Sequence, residues 1–189
     1  MNGFDREYIL EKLSEIEDEE NLLTTVVKKG EYDDDIPDEV KDFAETVGMI
    51  VMADYVGAGT NGYETTGVYS FMPLDEDEPY EVLSINIVLS DAVDEIGIYD
   101  MYKIINKVNN RLLAGSFSIS DDENVLAYRS NICISKKLDN DNALAFATEM
   151  LMEALGEVNL WIDVLMAYND GDKDADACID TINDIDLEE

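Results

Sequence analysis

The chain has 189 residues, 46% of them hydrophobic, with 45 acidic residues against 12 basic ones and a formal net charge of -33. That length supports one good core and falls short of two full domains. A surface this negative repels phosphate backbones and anionic headgroups, which argues against nucleic-acid and membrane partners and favours basic or apolar ones.

No apolar stretch approaches the roughly 20 residues that span a bilayer, and Asp5, Arg6 and Glu7 do not suit a secretory start, so a cytoplasmic protein is expected. The chain has no histidine. That removes the commonest general base, the Ser-His and Cys-His pairs, and the commonest transition-metal ligand. Of the two cysteines, Cys133 lies in a strand-like run and is expected to be a buried small apolar residue, while Cys178 lies in an acidic tail. No disulfide is expected between them in a cytoplasmic protein.

In chain order, "FDREYILEKLSEIEDEENLLTTVV" reads as a helix, with Phe4, Tyr8, Leu10, Leu13 and Ile16 as its stripe. A second short helix, "PDEVKDFAETV", opens on Pro37. "GMIVMADYV", "TGVYSFMPL" and "YEVLSINIVLSD" then read as a three-stranded antiparallel meander. The third strand is the clearest, because Leu83, Ile85, Ile87 and Leu89 alternate with Val82, Ser84, Asn86 and Val88. "YDMYKIINKVNNRLLAG" reads as a helix buried along Met101, Ile104, Ile105, Val108 and Leu112, with Gly115 as a left-handed C-terminal cap. "SFSIS", the turn "DDEN" and "VLAYRSNICISKK" form a hairpin.

The last large element, "DNDNALAFATEMLMEALGEVNLWIDVLMAY", can be capped by Asp139 or Asn140 and could run roughly 40 Å. Leu144, Ala147, Leu151, Ala154, Val158, Trp161 and Leu165 form a heptad seam. Phe146, Met150, Leu155, Ile162 and Met166 form a second apolar stripe beside it, so the helix needs two neighbours: the sheet, and either the N-terminal helix or a second copy. Met150, Leu155, Trp161, Ile162 and Met166 are the candidate partner-binding residues, with core filling as the competing role for the methionines. From Asn169 the composition turns acidic, with nine acidic residues and one lysine. The expected organisation is an N-terminal helical segment (1–46), an α+β core (47–168) and an acidic, mobile tail (169–189) with a helical turn or two around Ile179 and Ile182.

Gly57, Gly59 and Gly62 in "VGAGTNGYE" have the spacing of a dinucleotide-binding loop. That loop must lead into a helix whose N-terminus receives the pyrophosphate. Here "YETTGVYSF" follows, which is β-branched and aromatic, so the glycines are expected to shape a hairpin turn with positive φ. Asp172, Asp174 and Asp176 echo a calcium loop of the EF-hand type, but Ala177 stands where its glycine is required and Asn183 where its bidentate glutamate is required. Ser116, Ser118 and Ser120 share a strand face with no base to activate them. Neither a catalytic group, a metal site nor a cofactor motif is singled out. Asn106, Asn109 and Asn110 crowd a helix end, where asparagine can hydrogen-bond the adjoining backbone.

The text "YKIINKVNNRLLAGSFSISDDENVLAYRSNICI" followed by a long apolar helix resembles the YbjN-type family, whose fold is similar to that of type III secretion chaperones. An N-x-x-N pair ends the middle helix of that pattern, matched here by Asn106 and Asn109. An acidic turn joins the next two strands, matched by Asp121 to Asn124. The likeness covers roughly residues 47 to 166. It implies an α+β protein of the type III secretion chaperone kind, an antiparallel sheet (three-stranded meander plus hairpin) packed against a long C-terminal helix. It also implies a homodimer that holds a segment of a partner protein over apolar surface. It carries no catalytic residue. The expected function is a non-enzymatic protein-binding module, chaperone-like or a regulatory adaptor. The alternatives are a small-molecule or cation-sensing domain and an enzyme using carboxylates.

Overall fold

The computed structural model describes residues 4–19, 23–33, 36–90, 92–93, 97–120 and 124–185. Their elements run α1 (Arg6–Glu19), β1 (Leu23–Lys28), α2 (Asp38–Val47), β2 (Met49–Ala58), β3 (Tyr63–Phe71), β4 (Tyr80–Ser90), α3 (Ile98–Asn109), β5 (Ser116–Ile119), β6 (Leu126–Ser135), α4 (Asn140–Asn169) and α5 (Ala175–Asp184). The fold is α+β. The strands form one antiparallel sheet in the order β1-β2-β3-β4-β6-β5. The meander β2-β3-β4, the hairpin β5-β6 and the 30-residue helix α4 answer the sequence reading. Residues 121–123 of the expected "DDEN" turn lie outside the described residues.

The chain divides into two compact units: Met1–Tyr55, Thr66–Asn86 and Ser130–Glu153 in the first, Val56–Thr65, Ile87–Arg129 and Ala154–Glu189 in the second. In the first unit, helix α1 buries Ile9, Leu10 and Leu13 and packs against β1. It ends earlier than its sequence period implied. Leu23–Lys28 is not helix but an edge strand, antiparallel to β2 with Val27 opposite Ile50. Consecutive Thr24, Thr25, Val26 and Val27 are stiff at χ1 and sit better on a pleated strand than on a helix. Val27, Ala44 and Ile50 then form a small core, against which Tyr32, Ile36, Val40, Val47, Met52 and Val68 pack.

In the second unit, α3 buries Met101, Ile104, Ile105 and Val108 and packs against β5 and α5. It ends at Asn109, with Asn110 as its C-cap. Gly115 is therefore not the helix cap. It stands at φ 65° just before β5, where a Cβ would come within 2.3 Å of the Tyr128 hydroxyl. The asparagines behave as their spacing suggested. The Asn109 amide donates to the Phe117 carbonyl (2.9 Å) and its carbonyl accepts from the Phe117 N–H (2.8 Å), imitating a strand partner for the first residues of β5. Asn110 donates back to the Asn106 carbonyl.

After Asn169 the chain forms α5, a longer helix around Ile179 and Ile182 than the turn or two expected there. The Asp174 side chain accepts from the Ala177 N–H and caps α5, whose Cys178 and Ile182 are fully buried. Arg111 donates to the carbonyls of Ile182 and Ile185. The two cysteines exchange their expected roles. Cys133 is exposed between buried Ile132 and Ile134, whereas Cys178 is buried with its thiol against the Val164 carbonyl. Both are free.

Candidate functional site

The glycine turn is a hairpin between β2 and β3, with Gly57, Gly59 and Gly62 at φ of 94°, 68° and 74°. Its N–H groups do point at an anion, but the anion is the chain's own. Asp163 accepts from the Thr60 N–H (2.8 Å), the Thr60 hydroxyl (2.6 Å) and the Asn61 N–H (3.2 Å). Asn159, one helical turn earlier on α4, accepts from the Gly59 N–H (2.8 Å). A Cβ on Gly59 would come within 2.5 Å of the Asp163 carboxylate and 2.7 Å of Ile162, so the close approach requires glycine. Burial pushes the Asp163 carboxyl up, but the Thr60 hydroxyl and the two N–H donors outweigh it and hold the group below its ordinary value. The Gly59, Thr60 and Asn61 N–H groups are thus already taken by α4, and no helix follows the turn to receive a pyrophosphate.

The partner-binding residues expected on α4 divide by exposure. Trp161 and Ile162 have no exposed surface, and Met166 is only 8% exposed, so none of these three presents a face to a partner in this conformation. Met150 and Leu155 are half-buried. The exposed apolar residues of α4 are others: Met152, Leu160 and Phe146. The Asp172–Asp180 segment holds no metal-like arrangement, because Asp174 is spent on the α5 cap. Among the described residues no group of three or more potential ligands is disposed to hold a metal ion. No helix of the described residues is long and apolar enough to cross a membrane.

One concavity lies wholly in the first unit. It is an open groove of about 1290 Å³, walled by the start of α1, the α2–β2 junction, the end of β3 and the residues leading into α4. Its floor is apolar and aromatic: Leu10, Met49 and Phe71 are buried there, and Phe4 meets Phe71 edge-on at 5.7 Å between centroids. Its walls are acidic, carrying six carboxylates against two cations, Arg6 and Lys136.

Both cations converge on one carboxylate. Glu81 is 4% exposed, with Arg6 Nη2 at 2.5 Å from Oε2 and Lys136 Nζ at 3.2 Å from Oε1. Lys136 also donates to the Glu76 carbonyl at 3.1 Å. Each carboxylate oxygen of Glu81 is thus held by one cation, which offsets the cost of burying its charge. No other carboxylate of the groove takes part in an ion pair among the described residues. Asp5 accepts from the Tyr8 N–H and Asp139 from the Asn142 N–H, each closing the start of a helix, and Asp141 lies 3.5 Å from the Tyr8 hydroxyl.

Sequence reasoning missed Glu81, although its signal was present. Position 81 is in phase with Leu83, Ile85, Ile87 and Leu89, so β4 carries a glutamate in the row that is otherwise its buried apolar face. The groove itself has no such signal, because five separate stretches of chain build it.

Comparison with protein-family models, with curated proteins and with solved structures gives no match.

Proposed function

We propose that the chain is a non-enzymatic protein-binding module, a chaperone-like protein or regulatory adaptor of the YbjN type, that seats a segment of its partner in the groove of the first unit. The groove carries this reading. Its volume of about 1290 Å³ exceeds the roughly 300–1,000 Å³ of pockets that enclose a small molecule, and it is open rather than enclosed. It combines half-buried Phe4, Tyr8 and Leu74 with polar walls, the composition of a surface that takes up a chain segment. No histidine is available anywhere in the chain for acid-base or nucleophilic work near neutral pH. The groove also moves the contact surface away from α4, whose Trp161 and Ile162 are needed inside the core.

Site-directed photocrosslinking tests the reading. A photoreactive residue at Tyr8 or Leu74, both in the groove wall, should capture one protein partner, and the same residue at exposed Met152 should not. Equal capture from all three positions, or capture from Met152 alone, would refute it.

A further inference from the structure

We infer that the segment seated in the groove is basic and apolar together, presenting arginine or lysine to the walls and aliphatic or aromatic residues to the floor; this rests on the groove being the partner site. The charge balance is local as well as global. Arg6 and Lys136 are the groove's only cations among its lining residues, and both are committed to Glu81 at its base. The walls present Glu7, Glu76 and Asp141, none of which makes an ion pair among the described residues.

Glu81 does not soften that acidity for a ligand: it is 4% exposed, and its two oxygens take up both cations, leaving the wall carboxylates to a partner. The aromatic residues supply a second pointer. Half-buried Phe4 and Tyr8 offer ring surface that suits an arginine plane or an aliphatic side chain, with buried Phe71 backing Phe4 edge-on. A peptide carrying only charge would leave this floor wet, and one carrying only apolar residues would desolvate the wall carboxylates without pairing them. The net charge of -33 then raises the encounter rate for a basic segment and repels acidic ones.

The test uses the full chain and four probes in anisotropy titrations at physiological salt: a synthetic peptide mixing arginine with leucine, an arginine-only peptide, a peptide of leucine and serine, and spermine. The mixed peptide should bind most tightly. Its affinity should fall at least about tenfold in a Glu7→Gln, Glu76→Gln, Asp141→Asn variant and by much less in an Asp172→Asn, Asp176→Asn, Asp180→Asn variant, which changes the net charge equally elsewhere. Equal losses in the two variants would mean diffuse attraction and overturn the inference. Equal binding of the arginine-only peptide or of spermine would reduce the site to a polycation surface and overturn it too. Tighter binding of the leucine and serine peptide would overturn the basic assignment while leaving the groove as the partner site. Crosslinking from neither Tyr8 nor Leu74 with any peptide would remove the underlying reading as well.

Discussion

Replacing Asp163 with alanine strips the glycine turn of its anchor on α4. Three hydrogen bonds go at once: those from the Thr60 N–H, the Thr60 hydroxyl and the Asn61 N–H. Hydrogen bonds to a charged acceptor contribute about 1.5–3 kcal/mol each when sheltered. Asp163 is only half-buried, and water can reach the donors it releases, so the sum is discounted to about 2–3 kcal/mol for the set. For a chain of this size that is a fall of about 5–10 °C in Tm. Trp161, the single tryptophan, is fully buried two residues away, so its fluorescence reports the melting of this unit directly. Thr60→Ala removes only the hydroxyl donor and should cost about 1 kcal/mol. The double variant should cost less than the two singles summed, because both remove the same bond. A Tm for Asp163→Ala within about 1 °C of the parent would refute the anchoring role. Acid should reproduce the loss. The folded carboxyl sits below its ordinary value, so its contribution is complete above pH of about 3.9 and disappears as pH falls through the lower folded value. Asp163→Asn should therefore show less further loss over that acid range than the parent.

Other expected outcomes follow from the same geometry. Asn109→Asp should cost at least as much as Asn109→Ala, about 2 kcal/mol by urea denaturation, because aspartate still accepts from the Phe117 N–H but turns an acceptor toward the Phe117 carbonyl. Glu81→Ala should lower stability by about 2–4 kcal/mol, since it leaves Arg6 and Lys136 facing each other over a buried vacancy, and Glu81→Leu should cost less than Glu81→Ala. A thiol reagent should label Cys133 rapidly in the native protein and Cys178 only on unfolding, because Cys178 is buried and desolvation raises its thiol pKa. Equal labelling rates would contradict the packing of α5.

The parts of the fold legible in the sequence are those where one period dominates. The alternation of Leu83, Ile85, Ile87 and Leu89 fixes the face of β4, and the three-four spacing from Leu144 to Leu165 fixes the length of α4. Competing signals hid the rest. Leu23 to Lys28 follows a strong helix, and an apolar run there extends a helical stripe as readily as it starts a strand. The nine acidic residues after Asn169 mask a capped helix, although Asp174 at its start and Cys178 and Ile182 four residues apart were readable as cap and buried stripe. The cysteine reversal has the same cause: strand phase puts Ile132 and Ile134 inward and therefore Cys133 outward, while burial of Cys178 depends on a helix that composition disguised. Of the five residues expected to bind a partner, the apolar ones most suited to contact are also the ones most suited to the core, and Trp161 and Ile162 go there. The groove needs residues from opposite ends of the chain, such as Arg6, Glu81 and Lys136, and no local pattern announces it.

Hydrogen exchange of the full chain with and without the mixed arginine and leucine peptide tests the central claim most directly. Slowed exchange should be confined to the groove walls, at residues 5–10, 47–49, 71–76 and 136–142, with α4 beyond Ala154 unchanged. Protection centred on residues 150–166, with none at the groove walls, would return partner binding to the long helix and contradict the claim.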